Sequence, residues 1–491
     1  MNLRLTHLPL RIAIALAAGF ILHFAVELRP VWWLVWLVPI PLLVIAFRLP
    51  ARDARWMVSV AALVGAAGNF HYYLLVMPPP AAVLSVAAQA ALWVFLILAT
   101  RRVVLRYQAW WTVLVYPLLW VAMDTLMAAL LPDGDWGSLA YSQGDRLTVL
   151  QVASLFGVSG VLFLVALVPS ALALVIAFGR GLKNGWVAYV LTAVLLAASL
   201  FYGWARLRTP VSGAETRFGM VSIDDPIGLS ATPAYTEKIL GEYEQRVTVL
   251  AALGAQIVVL PEKVAVISPP AEAVWQERFT ALARRTHIWL EVGIGIDDGR
   301  SPLNQEWLFS PDGALVLDYR KHHMAPPERR RHYSSGTAYS VTSIEGRNYG
   351  LAICKDMHFA ALGREYGERQ ASAILVPAWD FDYMDGWLEA RTTVVRGIEN
   401  GYSIVRASRE GLLTVSDPYG RILAETASSA WPGSSLLATA TVADPMQTLY
   451  THIGNLLGWI CVAAAAFFLV LGRGWGTRRR EEAVAGAVRS G

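Results

Sequence analysis

Seven apolar stretches crowd into the first 206 residues, at 12–26, 31–47, 57–76, 81–99, 110–131, 150–178 and 186–204, and an eighth, 453–471, follows a long polar region. At about 1.5 Å of rise per helical residue, such stretches match a bilayer core of about 30 Å. They predict a multi-pass membrane protein, and composition agrees. Charged residues make up 16% of the chain, against about 25% in soluble domains. Its 19 tryptophans suit a chain with much membrane–water interface. Arg4 and Arg11 flank the start of the first stretch, but no convincing cleavage site separates it from the second. It therefore reads as a span rather than a leader.

Basic residues set the orientation. Arg48, Arg52 and Arg55 follow the second span; Arg101, Arg102 and Arg106 the fourth; Arg180 and Lys183 the sixth; Arg473, Arg478, Arg479 and Arg480 the eighth. With the N-terminus inside, all of these clusters fall on the cytoplasmic side. The predicted organisation is a seven-helix domain at 1–206, an extracytoplasmic domain at 207–447, an eighth span at 448–472 and a cytoplasmic tail at 473–491. The net charge of +4 belongs to this pattern. No basic stripe or nucleic-acid motif is present, so nucleic acid is not an expected partner.

The polar domain alternates strand and helix signals. Strands are expected at 217–223, 255–260, 288–296, 307–317, 349–354, 373–377, 402–407, 412–417 and 436–442, and helices at 233–253, 270–286 and 384–400. Tyr235, Ile239, Tyr243, Val247 and Leu250 recur at helical spacing, which marks a core-facing stripe. Ser310-Pro311-Asp312-Gly313 and Asp417-Pro418-Tyr419-Gly420 carry hairpin chemistry. About 240 residues of this kind suffice for one α/β sandwich.

Three polar residues follow strand-like runs. Glu262 follows Val258-Val259-Leu260-Pro261, Lys321 follows Tyr319-Arg320, and Cys354 ends Gly350-Leu351-Ala352-Ile353. Strand ends in α/β folds share one crevice. A thiol nucleophile, a carboxylate base and a lysine beside a developing oxyanion form a coherent acyl-transfer set. Only one other cysteine exists, Cys461, inside the last apolar stretch. An unpaired thiol in an oxidising compartment is a liability unless it is used. A buried structural cysteine and a surface Glu–Lys pair remain open on spacing alone.

These three blocks resemble those of the nitrilase, or carbon–nitrogen hydrolase, superfamily. Eight spans around such a domain resemble the apolipoprotein N-acyltransferase family. Trp136-Gly137-Ser138-Leu139-Ala140-Tyr141-Ser142-Gln143, Gln151-Val152-Ala153 and Gly157-Val158-Ser159-Gly160 are similar to that family's loop and sixth span, and Arg396-Gly397-Ile398-Glu399 with Arg406 to its later helix and strand. The resemblance implies a membrane bundle of about eight helices plus an extracytoplasmic αββα sandwich. It implies a bacterial inner-membrane enzyme with its catalytic domain in the periplasm, moving an acyl chain from a phospholipid through a Cys354 thioester to the amine of a diacylglyceryl-cysteine lipoprotein. Glu262 would be the base and Lys321 the oxyanion partner. Glu328, Asp356 and Glu399 would be accessory, with Glu328 one residue closer to the lysine than usual; a solvated carboxylate paired with Arg329 or Arg330 is its alternative. No metal or cofactor is required, and His322, His323, His332 and His358 lack a metal-ligand spacing. A monomer is expected.

The chain departs from the family at Lys355 and Asp356, at Ser222-Ile223-Asp224, at Pro377-Ala378-Trp379-Asp380 and at Arg409-Glu410-Gly411. These departures bear on the acceptor rather than on the chemistry, and a membrane-anchored amidase, a divergent acyltransferase or a non-catalytic binding protein remain alternatives. Trp379, Phe381, Tyr383 and Trp387 form either a lipid-admitting lid or ordinary aromatic core. Tyr72 and Tyr73, beside His71, read as interfacial belt residues.

Overall fold

The computed structural model describes residues 8–473; Arg4 and the tail from 474 onward lie outside the described residues, as do the side chains of Arg180 and Arg473. Among the described residues six helices are long and apolar enough to cross a membrane: Leu8–Val26, Ala51–Val76, Pro79–Tyr107, Trp110–Leu130, Ala153–Phe178 and Gly185–Leu207. Two shorter apolar helices, Leu34–Arg48 and Leu456–Leu471, take the places of the second and eighth expected spans. The first of these is broken because Pro39 starts its own helix, as a residue without an N–H does well. At one end of the bundle Arg48 donates to the Ile176 carbonyl, Arg106 to that of Leu471, and the Trp110 amide to that of Lys183. The basic loops thus gather together, away from the polar domain.

That domain contains thirteen strands: β1 Gly213–Ser222, β2 Ile257–Val259, β3 Ala265–Ile267, β4 Trp289–Ile296, β5 Leu303–Phe309, β6 Leu315–Arg320, β7 Val341–Ile344, β8 Arg347–Leu351, β9 Ala373–Trp379, β10 Ser403–Arg409, β11 Leu412–Ser416, β12 Ile422–Ala427 and β13 Ser434–Ala443. One sheet runs β13-β1-β2-β4-β5-β6 with β3 beside β4, and the other β12-β11-β10-β9-β8-β7. Phe218, Met220, Val259, Leu351, Leu375 and Val405 pack between the sheets. Helix Pro233–Ala252 covers the outside of the first sheet through Ile239, Tyr243, Val247 and Leu250, with Tyr235 packed against them partly buried. The four layers are α, β, β and α.

The stretch 307–317, expected as one strand, is a hairpin that turns at the expected Ser310–Gly313 signal. The chain turns at Ser310, whose amide bonds the Ala314 carbonyl, and Gly313 takes φ +87°. Strands β3, β7 and β12 carry weak signals. β3 is three residues long, and β12 is only partly buried, with Glu425 and Thr426 in its second half. β7 and β8 are joined through Glu345 and Gly346, both at positive φ, the geometry of a tight hairpin.

Helix Gly386–Asn400 joins the two parts. One face lies on β10 and β11, and the other packs on Ala153–Phe178, so almost every residue is buried. Leu388, Val395 and Ile398 enter the core of the membrane bundle. The long membrane helix breaks at Gly157, φ +64°, where a Cβ would meet the Tyr450 ring. Its restart is capped from the other domain, the Val158 amide donating to Glu399 at 2.9 Å; a carboxylate suits a helix N-terminus. Arg396, fully buried, bridges Glu399 at 2.6 Å and Asp135 at 2.7 Å.

Removing Arg396 strands two buried carboxylates. Arg396→Ala is expected to destabilise the protein by about 3–5 kcal/mol, and breaking the exposed Arg369–Glu365 pair by under about 1 kcal/mol. Thermal unfolding in detergent compares the two, and equal effects would contradict the buried network.

Candidate active site

Cys354 opens a tight helical turn just beyond β8, and its φ of +47° is left-handed. A non-glycine residue held there carries strain that its surroundings must stabilise. Asp356 supplies that support. Its Oδ2 accepts from the Ile353 amide at 3.0 Å and the Tyr319 hydroxyl at 2.8 Å, and its Oδ1 from the amides of His322 at 3.1 Å and His323 at 2.8 Å. One fully buried carboxylate thereby ties the cysteine turn to the loop that begins with Lys321.

Parallel pairing aligns strand ends: β1, β2 and β4 run together in one sheet, and β8, β9 and β10 in the other. Glu262 follows β2 and Lys321 follows β6 at the same edge. Lys321 Nζ lies 2.9 Å from Glu262 Oε1 and 3.0 Å from Glu328 Oε2. Asn304 donates to both glutamates, at 2.6 and 2.7 Å. Lys263 bonds Glu328 and lies 3.6 Å from Glu262. Glu328 is therefore a buried member of this array, not a solvated partner of Arg329 or Arg330. Gly293 on β4 leaves room for the turn, because a Cβ there would meet the Pro261 carbonyl and come 2.7 Å from Glu262 Cα.

The array is electrically balanced. Burial alone would favour neutral Lys321, but Glu262 and Glu328 outweigh it and hold its pKa well above the ordinary lysine value. Burial likewise opposes the charge on Glu328, yet Lys321 and Lys263 hold that carboxyl well below the usual range. For Cys354, burial first and then the Glu262 charge push the thiol well up, against Lys321. Its surroundings thus favour the neutral thiol over the thiolate. Glu262 Oε2 is buried and has no hydrogen-bond partner among the described residues, which leaves it open to take a proton.

Cys354 lies in a pocket shared by both domains. Tyr72, Tyr73, Val76 and Met77 come from the third membrane segment, and Trp136 from the loop after Trp110–Leu130. Trp379 and Phe381 line the same pocket, whereas Trp387 bonds Asp145 at 3.2 Å and Tyr383 bonds Asp224. The aromatic cluster is therefore divided, and Tyr72 is more than a belt residue: its hydroxyl donates to Asp385 at 2.8 Å. Lys355 pairs with Asp133 of the membrane-side loop.

The structure thus brings Glu262, Lys321, Glu328, Asp356 and Cys354 together. Glu399 is not among them; it is built into the joint with the bundle. Sequence reasoning missed Lys263, Asn304 and Glu389. Lys263 had one signal, its position directly after Glu262. Asn304 and Glu389 had none, because only the fold brings them near the cysteine.

Comparison with known proteins follows the same division. The apolipoprotein N-acyltransferase N-terminal domain matches residues 18–172, and the carbon–nitrogen hydrolase domain matches residues 227–444. The apolipoprotein N-acyltransferase of Geobacter metallireducens is 27% identical over 72% of this chain and 73% of its own. That of Gloeobacter violaceus is 26% identical over 92% of both. The deaminated glutathione amidase of a Synechocystis species is 27% identical over 40% of this chain and 84% of its own. With both domains matched in order and the pocket formed where they meet, the chain belongs to the apolipoprotein N-acyltransferase-like membrane branch of the nitrilase, or carbon–nitrogen hydrolase, superfamily.

Proposed function

We propose that this protein transfers a fatty acyl chain from a phospholipid, through a thioester on Cys354, to the N-terminal amine of a diacylglyceryl-cysteine lipoprotein. The observation that carries the reading is the pocket at Cys354, whose wall includes Tyr72, Tyr73 and Val76 of a membrane helix and Met77 just beyond its end. A nucleophile that opens onto membrane-spanning residues suits substrates that do not leave the bilayer readily.

Glu262 takes the thiol proton as the sulfur attacks the ester carbonyl, and Lys321 stands beside the oxyanion. The carbon–oxygen bond breaks, and Glu262 returns the proton to the departing glycerol oxygen. In the second half, amine nitrogen attacks the thioester, the carbon–sulfur bond breaks and the thiol is restored. The basic loops lie at the bundle end opposite this pocket, which supports a bacterial inner-membrane protein with its catalytic domain in the periplasm. One copy of the chain supplies every residue used, in keeping with a monomer.

The direct test incubates detergent-solubilised protein with phospholipid and a diacylglyceryl-cysteine peptide. Expected products are lysophospholipid and a peptide heavier by one acyl chain, both absent with Cys354→Ala. Turnover of a soluble amide without peptide acylation would favour the amidase reading, and product from Cys354→Ala would remove the nucleophile.

Glu262→Gln keeps the shape of the array and removes its base. Acyl-enzyme formation by the folded protein is expected to fall by about 10²- to 10⁴-fold; a rate near wild type would exclude Glu262 as base. Because the Cys354 thiol is pushed up, its protonated form persists to higher pH than in a free thiol. Iodoacetamide labelling of Cys354 should therefore keep rising past about pH 8.5. A plateau below that pH would mean a preformed thiolate.

A further inference from the structure

We infer that Glu389, with His358 behind it, is the subsite for the acceptor's amine and removes the first of the two protons that the amine must lose. The inference rests on the acyl-transfer reading and adds a residue to it.

Cys354 Sγ, a carboxylate oxygen of Asp380 and one of Glu389 lie within 4.8 Å of one another. The two carboxylates differ. Asp380 is matched by Arg406, which bonds both its oxygens. Glu389 has no lysine or arginine ion pair among the described residues. Its Oε2 is 2.6 Å from His358 Nε2, and its Oε1 accepts from Trp136 Nε1 at 2.8 Å. Glu389 and His358 are 5% and 6% exposed, and His358 Nδ1 is buried without a partner. Both line the pocket that holds Cys354, and Glu262 does not. Trp136 stacks on Tyr72 at 5.6 Å and on His358 at 6.4 Å. A carboxylate beside aromatic faces is a site for an ammonium group.

The proton count requires such a group. An α-amine with a pKa of about 8 arrives largely as an ammonium ion, which has no lone pair for attack. One proton must leave before the nitrogen bonds the thioester carbon. A second leaves the nitrogen as the tetrahedral intermediate collapses and the carbon–sulfur bond breaks. Glu262 carries this second proton to the sulfur and restores the thiol. The first is taken up by Glu389, hydrogen-bonded to His358, and is given up to solvent once the product has left the pocket. Ammonium and thioester become amide, thiol and one released proton. Facing Glu389 are Cys354 and His358 of the nucleophile turn, Asp380 and Asp385 of the segment after β9, Arg406 of β10 and Tyr72 of the membrane side. Arg406 and Asp380 offset each other, so the carboxylate–histidine pair dominates near the sulfur.

The experiment separates the half-reactions. Acyl-enzyme formation from phospholipid is followed by intact mass, and transfer by mixing preformed acyl-enzyme with a diacylglyceryl-cysteine peptide. In Glu389→Gln, transfer at pH 7 should fall about 100-fold more than acyl-enzyme formation. The defect should shrink at least tenfold by about pH 9.5, where the free amine predominates. His358→Gln, which keeps a partner for Glu389, should give a smaller defect with the same pH trend, and it carries the test if Glu389→Gln does not fold. Equal losses in both half-reactions, no loss, or a defect that pH does not move would overturn the assignment. A wild-type protein that forms no acyl-enzyme would remove the acyl-transfer reading, and this assignment with it.

Discussion

Lys321 holds its ammonium between two carboxylates, 2.9 Å from Glu262 and 3.0 Å from Glu328, with 1% of its side chain exposed. Charges so deeply buried persist only when each is paired and hydrogen-bonded. Lys263 and Asn304 complete that condition. The array fixes one oxygen of Glu262 and leaves the other free, which is the state a general base needs. It also demands that the ends of β2 and β6 and the helix Pro326–Arg330 meet at one point. Much of the sandwich topology serves that meeting.

Cys354, the proposed nucleophile, is held by a different device. Asp356 binds the strained cysteine turn to the backbone after Lys321, so the two halves of the site cannot drift apart. The second sheet then contributes Trp379 and Asp380, and the membrane bundle contributes Tyr72 and Trp136. Helix Gly386–Asn400 makes this possible because it is buried on both faces, against the sheet and against the bundle. Its Arg396 and Glu399 lock the joint while Glu389, ten residues before Glu399 in the same helix, faces the pocket. Domain docking and pocket formation are thus a single packing event.

Part of this was legible in the sequence. Glu262, Lys321 and Cys354 each follow or end a strand-like run, and strand ends in an α/β domain converge. The long apolar stretches stood out because length alone separates a span from a core helix. Glu328 was ambiguous because its neighbours Arg329 and Arg330 offered solvated partners; burial decided otherwise. Glu399 was visible as a motif, but its job as a cap for a helix in another domain depends on docking. The hairpin at 307–317 was signalled by Ser310-Pro311-Asp312-Gly313, and the apolar residues on either side of that turn, Trp307 to Phe309 and Ala314 to Leu317, are what made the stretch read as one strand. Glu389 and His358 lie 31 residues apart, and nothing in either segment announces their pairing.

The central claim is that Cys354 carries the acyl chain. The most direct measurement incubates the protein with phospholipid alone, digests it and locates the hydroxylamine-labile acyl group by mass spectrometry. The account predicts one fatty acyl chain on the peptide containing Cys354 and none on that containing Cys461. Acyl found only on Cys461, or none on Cys354 while its thiol still accepts a small alkylating agent, would contradict it.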